Sequence, residues 1–296
     1  MNFDVAGNTV YAYTAGKPIL PSQPTVVFLH GAQHDHSVWG LQSRYLANHG
    51  MNVLALDLPG HHRSAGTPLK TIGALADWVV AVLDAAGVKS AALIGHSMGS
   101  LIALDAAARH PTRVSRIALV GTAYPMKVSD ALLEAAAQRE PEAIALVNEW
   151  SHSTLAAKPS APGPGFWTWG GNQRLMERVA KRNPGEKVFL TDFEACNSYD
   201  QGWEAAARVK CPVLAVLGQR DLMTPPRSAK ALLDALRAGD ASASCGTEGA
   251  SGVGGVGGTG NPGGVPVTVK TVNAGHAIMT EQPDALLDAL IQFMRH

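Results

Sequence analysis

The chain has 296 residues, 46% of them hydrophobic, which suits one large α/β domain or one domain with a sizeable insertion. Lys and Arg number 24, as do Asp and Glu, so no basic field predicts binding to nucleic acid or to a membrane surface. The three scattered cysteines lack metal-ligand spacing and predict a reducing compartment. The sequence shows no secretory or membrane-spanning pattern, so we expect a cytoplasmic protein.

Short apolar runs alternate with amphipathic runs through residues 1–121. The predicted elements are a hairpin over 5–10 with a Gly-Asn turn, strands over 25–29, 52–56, 91–94 and 117–120, and helices over 38–49, 72–86 and 101–108. Continuous apolar strands that alternate with helices are typical of a mainly parallel sheet covered on both faces.

The alternation stops at Gly121, and residues 122–209 are predicted to be helical. We interpret this segment as an inserted helical cap, with the core formed by residues 1–121 and 210–296. The predicted elements from 122 onward are helices over 130–138, 141–150 and 174–181, a strand over 213–217, a helix over 226–238, a strand over 265–272 and a helix over 283–294. Residues 239–264 are glycine-rich and predict a flexible loop, remote from the carboxyl edge of the sheet.

The sequence Gly95-His96-Ser97-Met98-Gly99 places a serine between an apolar strand and a helix. Glycines flank such a serine because side chains in a sharp, strained turn would collide with the adjacent strand or helix. The pattern is short, but its strand–turn–helix setting makes Ser97 a candidate nucleophile.

A serine nucleophile needs a base, and the base needs an orienting group. His276 lies directly after the last predicted strand, and Asp221 follows the strand over 213–217. Because parallel strands end at one edge of a sheet, both side chains can reach Ser97. The chain order Ser–Asp–His is one of the known orders of a catalytic triad.

Two backbone amides are candidates for an oxyanion hole. The Met98 N–H begins the helix after Ser97, and Gly31 permits a turn that aims the Ala32 N–H inward. Further residues are candidates for a substrate pocket, although the aromatic ones are equally suited to filling the core of the cap: Gln33, Trp150, Trp167 and Trp169.

Five ordered motifs cover nearly the whole chain outside the cap and the glycine-rich loop. They are His30-Gly31, the loop 57–64, G-H-S-M-G, G-x-R-D-x-x-x-P from 218 and G-H-x-x-x-x-E-x-P from 275. Together they resemble the α/β-hydrolase fold family. The resemblance implies an eight-stranded, mainly parallel sheet with an inserted lid, and structural roles for His30 and Glu281. His62 replaces the second glycine of the family's P-G-x-G-x-S loop, so we expect that loop to differ.

The expected activity is hydrolysis of a small or medium carboxylic ester through an acyl-enzyme, with a small-molecule substrate and no cofactor. Hydrolysis of a carbon–carbon bond in a ring-cleavage dienoate, lactone hydrolysis and perhydrolysis remain open, as does a ligand-binding receptor or scaffold on the same fold. H-x-H and H-H pairs without nearby carboxylate spacing are more typical of solvated loops than of metal sites, so we predict no metal site. The histidines concerned are His34, His36, His61 and His62.

Overall fold

The structure is a computed structural model, and it describes residues 1–153, 168–182, 184–239 and 264–295. Its centre is a sheet with the strand order β1-β2-β4-β3-β5-β6-β7-β8. The strands are β1 Asn2–Val5, β2 Asn8–Tyr13, β3 Thr25–Leu29, β4 Asn52–Leu56, β5 Ala91–His96, β6 Val114–Val120, β7 Val213–Gly218 and β8 Val267–Val272. Strand β2 runs antiparallel to both β1 and β4, and the remaining pairs are parallel.

Helices cover both faces of this sheet. They are a 3-10 helix His36–Trp39, α1 Gly40–Asn48, α2 Ile72–Ala85, α3 Met98–Arg109, α4 Asp130–Gln138, α5 Glu140–Ser151, α6 Thr168–Arg182, α7 Val188–Ser198, α8 Gly202–Arg208, α9 Pro226–Ala238, α10 Ile278–Glu281 and α11 Pro283–Arg295. Helices α2, α3, α8 and α9 contribute to a first apolar cluster, which we call the main core, and α1 and α11 contribute to a second cluster. None of the helices in the described part of the chain has the length and hydropathy that a membrane crossing requires.

The eight-stranded, mainly parallel sheet confirms the predicted fold class. One local prediction was wrong. The hairpin turns at Ala6-Gly7, whose φ values are 51° and 79°, rather than at Gly-Asn. Helices α7 and α8 lie in the stretch predicted to be helical but were not predicted individually, and α10 was not predicted. Helix α7 buries the polar Asp192 among apolar residues, which interrupts its amphipathic pattern.

Helices α4 to α8 lie between β6 and β7, within residues 122–209, which we call the inserted segment. Helices α4, α5, α6 and α7 share a third apolar cluster. Helix α8 instead packs in the main core, and Tyr199 donates a hydrogen bond to Asp105 of α3 at 3.0 Å. The division into a core and a cap at residues 121 and 210 therefore stays a prediction.

Part of the predicted organisation lies outside the described residues. This applies to Trp167 and to residues 240–263 of the glycine-rich stretch.

Gly264 leads into β8, whose Val267 pairs with Val213 at the amino-terminal edge of the sheet. The carboxyl ends of β5 and β8, where Ser97 and His276 follow, are at the opposite edge.

Candidate active site

Ser97 occupies the turn between β5 and α3 with a φ of 51° and a ψ of −119°. Such a left-handed φ is uncommon for a residue with a side chain. A Cβ on Gly95 would lie 2.0 Å from the Gly99 carbonyl oxygen, and one on Gly99 would lie 2.3 Å from the Leu29 oxygen. Both distances are far below van der Waals contact, so the two glycines allow the turn that presents Ser97.

His276 and Asp221 form a buried, hydrogen-bonded pair. The Nδ1 atom of His276 lies 2.8 Å from Asp221 Oδ2, which also accepts from the Thr224 hydroxyl at 2.7 Å. Asp221 Oδ1 accepts from the backbone N–H groups of Met223 and Thr224 at 2.8 and 2.7 Å. Burial opposes ionisation, but His276 and the Thr224 donors lower the pKa of Asp221 to about 2. The carboxylate is therefore ionised and holds the imidazole in one orientation.

The structure brings His276 close to the Ser97 turn without a hydrogen bond between the two side chains. The ring of His96, the residue before Ser97, lies 4.6 Å from the His276 ring, and His96 Nε2 donates to the His276 carbonyl at 3.0 Å. No hydrogen bond is formed by His276 Nε2 within the described residues. Catalytic hydrogen bonds in unliganded sites are often long and shorten when substrate binds.

The two candidate oxyanion donors flank Ser97. Met98 is buried at the start of α3, and Ala32 is half-buried in the loop after β3. A Cβ on Gly31 would lie 3.2 Å from Ser97 Cβ, so glycine lets this loop approach the elbow closely. Neither the Ala32 N–H nor the Met98 N–H donates a hydrogen bond within the part of the chain that the structure describes. Both groups are therefore available to an oxyanion.

The candidate pocket residues have different surroundings. Gln33 is buried with a φ of 56°, and its Nε2 donates to Glu140 Oε1 and to the Met176 carbonyl, each at 3.3 Å. Trp150 packs against the third apolar cluster, and the Trp169 carbonyl accepts a hydrogen bond from the Asn148 side chain at 3.0 Å. The side chain of Gln33 thus contacts the inserted segment, and the pocket roles stay predictions.

His30 and Glu281 hold neighbouring loops in place. His30 Nδ1 lies 2.8 Å from the Gly31 carbonyl, and Nε2 accepts from the Leu58 N–H at 3.1 Å. Glu281 accepts from the N–H groups of Gly275 and Ser153 at 2.6 and 2.7 Å, which ties the His276 loop to the end of α5. Within the described residues, neither His30 nor Glu281 forms a hydrogen bond with Ser97 Oγ, which is consistent with structural roles.

His62 has a φ of 39° and stacks on His36 with ring centroids 5.9 Å apart. The backbone at this position therefore has a left-handed conformation, which favours glycine. The expectation that this loop differs from the family's loop stays a prediction.

Sequence reasoning missed Asp192 of α7. Its carboxylate is buried and lies 2.9 Å from His61 Nε2, and the same oxygen accepts from the Gln33 N–H at 2.8 Å. The partners are 131 and 159 residues away along the chain, and α7 was not predicted, so no local pattern signalled the contact.

The four histidines weighed as metal ligands have separate partners. His34 lies against the Ala32 carbonyl and the Asn172 side chain, and His61 lies against Asp192. Only His36 belongs to a group with metal-ligand potential among the described residues, since its ligand atom and those of Asp35 and Asp57 lie within 4.8 Å of one another. Asp57 already pairs with His36, while Asp35 pairs with Arg178 and accepts from Ser37.

Comparison with known proteins agrees with this geometry. The sequence profile of the alpha/beta hydrolase fold matches residues 24–243, most of the chain. The chain therefore belongs to the alpha/beta hydrolase fold family. The sheet, the serine elbow and the Asp–His pair are those on which this family builds hydrolytic sites.

The curated proteins that this chain resembles include two named for hydrolytic activities. The chain is 31% identical to (E)-2-((N-methylformamido)methylene)succinate hydrolase of Acinetobacter baylyi over 66% of this chain and 72% of that protein. It is 38% identical to pimeloyl-[acyl-carrier protein] methyl ester esterase of Aromatoleum aromaticum over 34% of this chain and 38% of that protein. Several curated relatives are matched over only 28% to 38% of their own length.

A solved structure shows the same fold over the full chain. The enol-lactonase of Burkholderia xenovorans LB400 superposes with a TM-score of 0.77 at 20% identity and covers 100% of both chains. At this identity the likeness concerns the fold alone.

Proposed function

We propose that this protein is a serine hydrolase that cleaves a small or medium carboxylic ester through an acyl-enzyme. Ser97 is the nucleophile, His276 the general base, and Asp221 the group that orients the imidazole and stabilises imidazolium as it forms. The observation that carries the proposal is the 2.8 Å contact between His276 and Asp221 at the sheet edge where Ser97 occupies its elbow.

The steps follow from these positions. Ser97 Oγ attacks the ester carbonyl carbon as His276 Nε2 takes the hydroxyl proton. The tetrahedral oxyanion accepts hydrogen bonds from the Ala32 and Met98 N–H groups, and the N-terminus of α3 adds a favourable dipole. Collapse breaks the ester C–O bond, and His276 protonates the departing alcohol. Water then attacks the acyl-enzyme with His276 as base, which releases the acid and restores Ser97.

Ester cleavage is favoured over the alternatives by the relative whose name is a methyl ester esterase. The named succinate-derivative hydrolase supports hydrolysis more generally. Lactones, ring-cleavage dienoates and peracid formation would use the same nucleophile and remain alternatives. We also propose that the inserted segment forms a lid, with Gln33, Trp150, Trp167 and Trp169 at the substrate.

The proposal is tested with p-nitrophenyl esters of rising acyl length, a small lactone and a dienoate, each assayed with wild type and Ser97→Ala. Ser97→Ala removes the nucleophile, so we expect kcat on the preferred ester to fall by about 10⁴-fold or more. Ser198→Ala is the matched control, because that exposed hydroxyl only contacts carbonyls of its own helix, such as the Glu194 carbonyl at 2.7 Å.

Undiminished ester turnover in Ser97→Ala would contradict the assignment of the nucleophile. A preference for the lactone or the dienoate that Ser97→Ala abolishes would keep the nucleophile and replace the substrate class. Ser198→Ala should match wild type throughout, which shows that loss of a serine hydroxyl elsewhere has no effect.

A further inference from the structure

The loop between β3 and the 3-10 helix is held by the inserted segment through successive residues. We call His30 to Asp35 the oxyanion loop, because it contains Ala32. The Gln33 N–H donates to Asp192 of α7 at 2.8 Å. His34 Nε2 lies 2.8 Å from Asn172 of α6, and Asp35 pairs with Arg178 of the same helix. The conformation of the loop therefore depends on helices that are remote in sequence.

Asp192 is the most buried of these anchors on the inserted segment. Its side chain is 2% exposed and that of His61 is 1% exposed. One oxygen, Oδ2, faces both the Gln33 N–H and His61 Nε2. A buried carboxylate needs hydrogen-bonded or charged partners to offset the loss of water, and these two supply them.

The contacts of His61 define its protonation state. Nε2 faces the Asp192 carboxylate at 2.9 Å, and Nδ1 faces the Pro59 carbonyl at 3.0 Å. The Asp192 carboxylate and the Pro59 carbonyl are both acceptors, and an imidazolium satisfies both of them by donating from each ring nitrogen. His30, whose ring lies 4.8 Å away, differs because its Nε2 accepts from the Leu58 N–H. His61 and Asp192 thus form a buried ion pair.

Gln33 explains why this ion pair matters for catalysis. Its φ of 56° is strained for a residue with a side chain and needs support from its surroundings. The support comes from the Asp192 carboxylate on the Gln33 N–H and from the bond between the His34 N–H and the Gly31 carbonyl at 3.2 Å. These bonds enclose Ala32 and fix the direction of its N–H.

We propose that Asp192 is a positioning residue, whose carboxylate is paired with His61 and holds the Ala32 amide where it meets the oxyanion. This rests on the proposed serine hydrolase function. It follows that the inserted segment contributes to the rate of ester cleavage as well as covering the substrate. Asp192 acts through Ala32 and does not touch the reacting atoms.

The test compares Asp192→Asn with Tyr199→Phe on the preferred p-nitrophenyl ester. The asparagine can turn its amide oxygen toward both donors but carries no negative charge, so it is a weaker acceptor for the Gln33 N–H and no longer pairs with an imidazolium at His61. We expect kcat to fall by about 10-fold to 100-fold with KM nearly unchanged, since small displacements of a catalytic group have effects of this size. Tyr199→Phe removes another buried contact of the inserted segment, with Asp105, and should leave kcat unchanged.

A second measurement distinguishes a displaced Ala32 amide from a general loss of packing in the inserted segment. An alkyl trifluoromethyl ketone adds to a serine nucleophile and forms an oxyanion that occupies the same hole. Its inhibition constant should rise in Asp192→Asn by the factor by which kcat/KM falls, while the affinity for the carboxylic acid product stays near that of wild type. If Asp192→Asn does not fold, His61→Gln is used instead, because it keeps the carboxylate, and it should show a smaller loss in kcat. In this variant too, the inhibition constant of the ketone should rise while the affinity for the acid product stays near that of wild type.

Full kcat in a folded Asp192→Asn or, failing that, in His61→Gln would overturn the inference, as would an equal loss in Tyr199→Phe. Ser97→Ala is assayed in parallel to separate the two proposals. Abolished turnover in Ser97→Ala with full kcat in Asp192→Asn would leave the serine hydrolase function standing and remove the role of Asp192. Undiminished turnover in Ser97→Ala would overturn both.

Discussion

Two buried aspartate–histidine pairs in the described part of the chain differ in the group that the second ring nitrogen of the histidine faces. His276 and Asp221 are 2.8 Å apart, and His61 and Asp192 are 2.9 Å apart. In the second pair the remaining nitrogen of His61 faces the Pro59 carbonyl. In the first pair the remaining nitrogen of His276 has no hydrogen-bond partner within the described residues.

This difference separates a catalytic pair from a structural pair. A general base must accept and release a proton, so one of its nitrogens has to be open to the reacting group. His276 satisfies that condition, whereas His61 is closed on both sides. The distance between carboxylate and imidazole is nearly equal in the two pairs, so it does not distinguish them.

The surroundings of the two pairs also have opposite electrostatic consequences. His276 and the Thr224 donors outweigh burial and lower the pKa of Asp221 to about 2. Burial alone would lower the pKa of His61, but Asp192, the Pro59 carbonyl and Asp57 raise it above its usual value. The first pair should therefore be sensitive to acid and the second to alkali.

The largest effect is expected when the pair interpreted as catalytic is disrupted by Asp221→Asn. The asparagine has no negative charge with which to stabilise imidazolium, and its NH₂ group can donate to His276 Nδ1, which favours the wrong tautomer. We expect kcat to fall by about 10⁴-fold, the scale seen when a triad aspartate becomes asparagine. Steady-state kinetics on the preferred ester at neutral pH measures this, and a loss below about 10-fold would show that Asp221 does not orient the base.

A smaller effect concerns stability in acid. The pKa of Asp221 falls from 3.8 to about 2 on folding, so its contribution is present above the unfolded pKa and lost as pH falls through the folded one. That contribution is about 2 kcal/mol. Urea unfolding between pH 5 and pH 2 should show a larger acid-dependent loss of stability in wild type than in Asp221→Asn, since the variant keeps other carboxyls with a lowered pKa, such as Asp35. Parallel curves would contradict the account.

The smallest effect is the alkaline counterpart at His61. The pKa of His61 is raised in the folded state, so its stabilising contribution is fully present below the unfolded pKa of 6.5 and is lost as pH rises through the folded pKa. The charged or titratable groups that face it are Asp192 from α7, Asp57 after β4 and His30 after β3. The free energy of unfolding of wild type should fall as pH rises from 6.5. In His61→Gln this fall with pH should be smaller. An unchanged slope would show that His61 is not an imidazolium.

The sequence was sufficient to predict the sheet, and the candidate site stays a prediction. Ser97, Asp221 and His276 lie at or shortly after the ends of strands, and the parallel arrangement brings such positions to one edge. The elbow glycines were predicted from steric need, and the close approach of Gly95 and Gly99 to backbone oxygens bears this out.

The contacts between the inserted segment and the oxyanion loop were beyond sequence reasoning. Asp192 is one of two carboxylates on a helix without a regular apolar stripe, and nothing near it in the chain signals His61 or Gln33. His61 was weighed as a metal ligand and interpreted as more typical of a solvated loop, yet it is almost fully buried. Buried polar pairs between remote segments depend on the tertiary packing itself and leave no periodic pattern.

The most direct test of the account is to trap the acyl-enzyme. Wild type mixed with p-nitrophenyl acetate, quenched within milliseconds and analysed by mass spectrometry of its peptides should carry one acetyl group on Ser97. The adduct should be absent in Ser97→Ala and should form far more slowly in Asp221→Asn. An acetyl group on another residue, or equal labelling in Ser97→Ala, would contradict the claim that Ser97 is the nucleophile of this site.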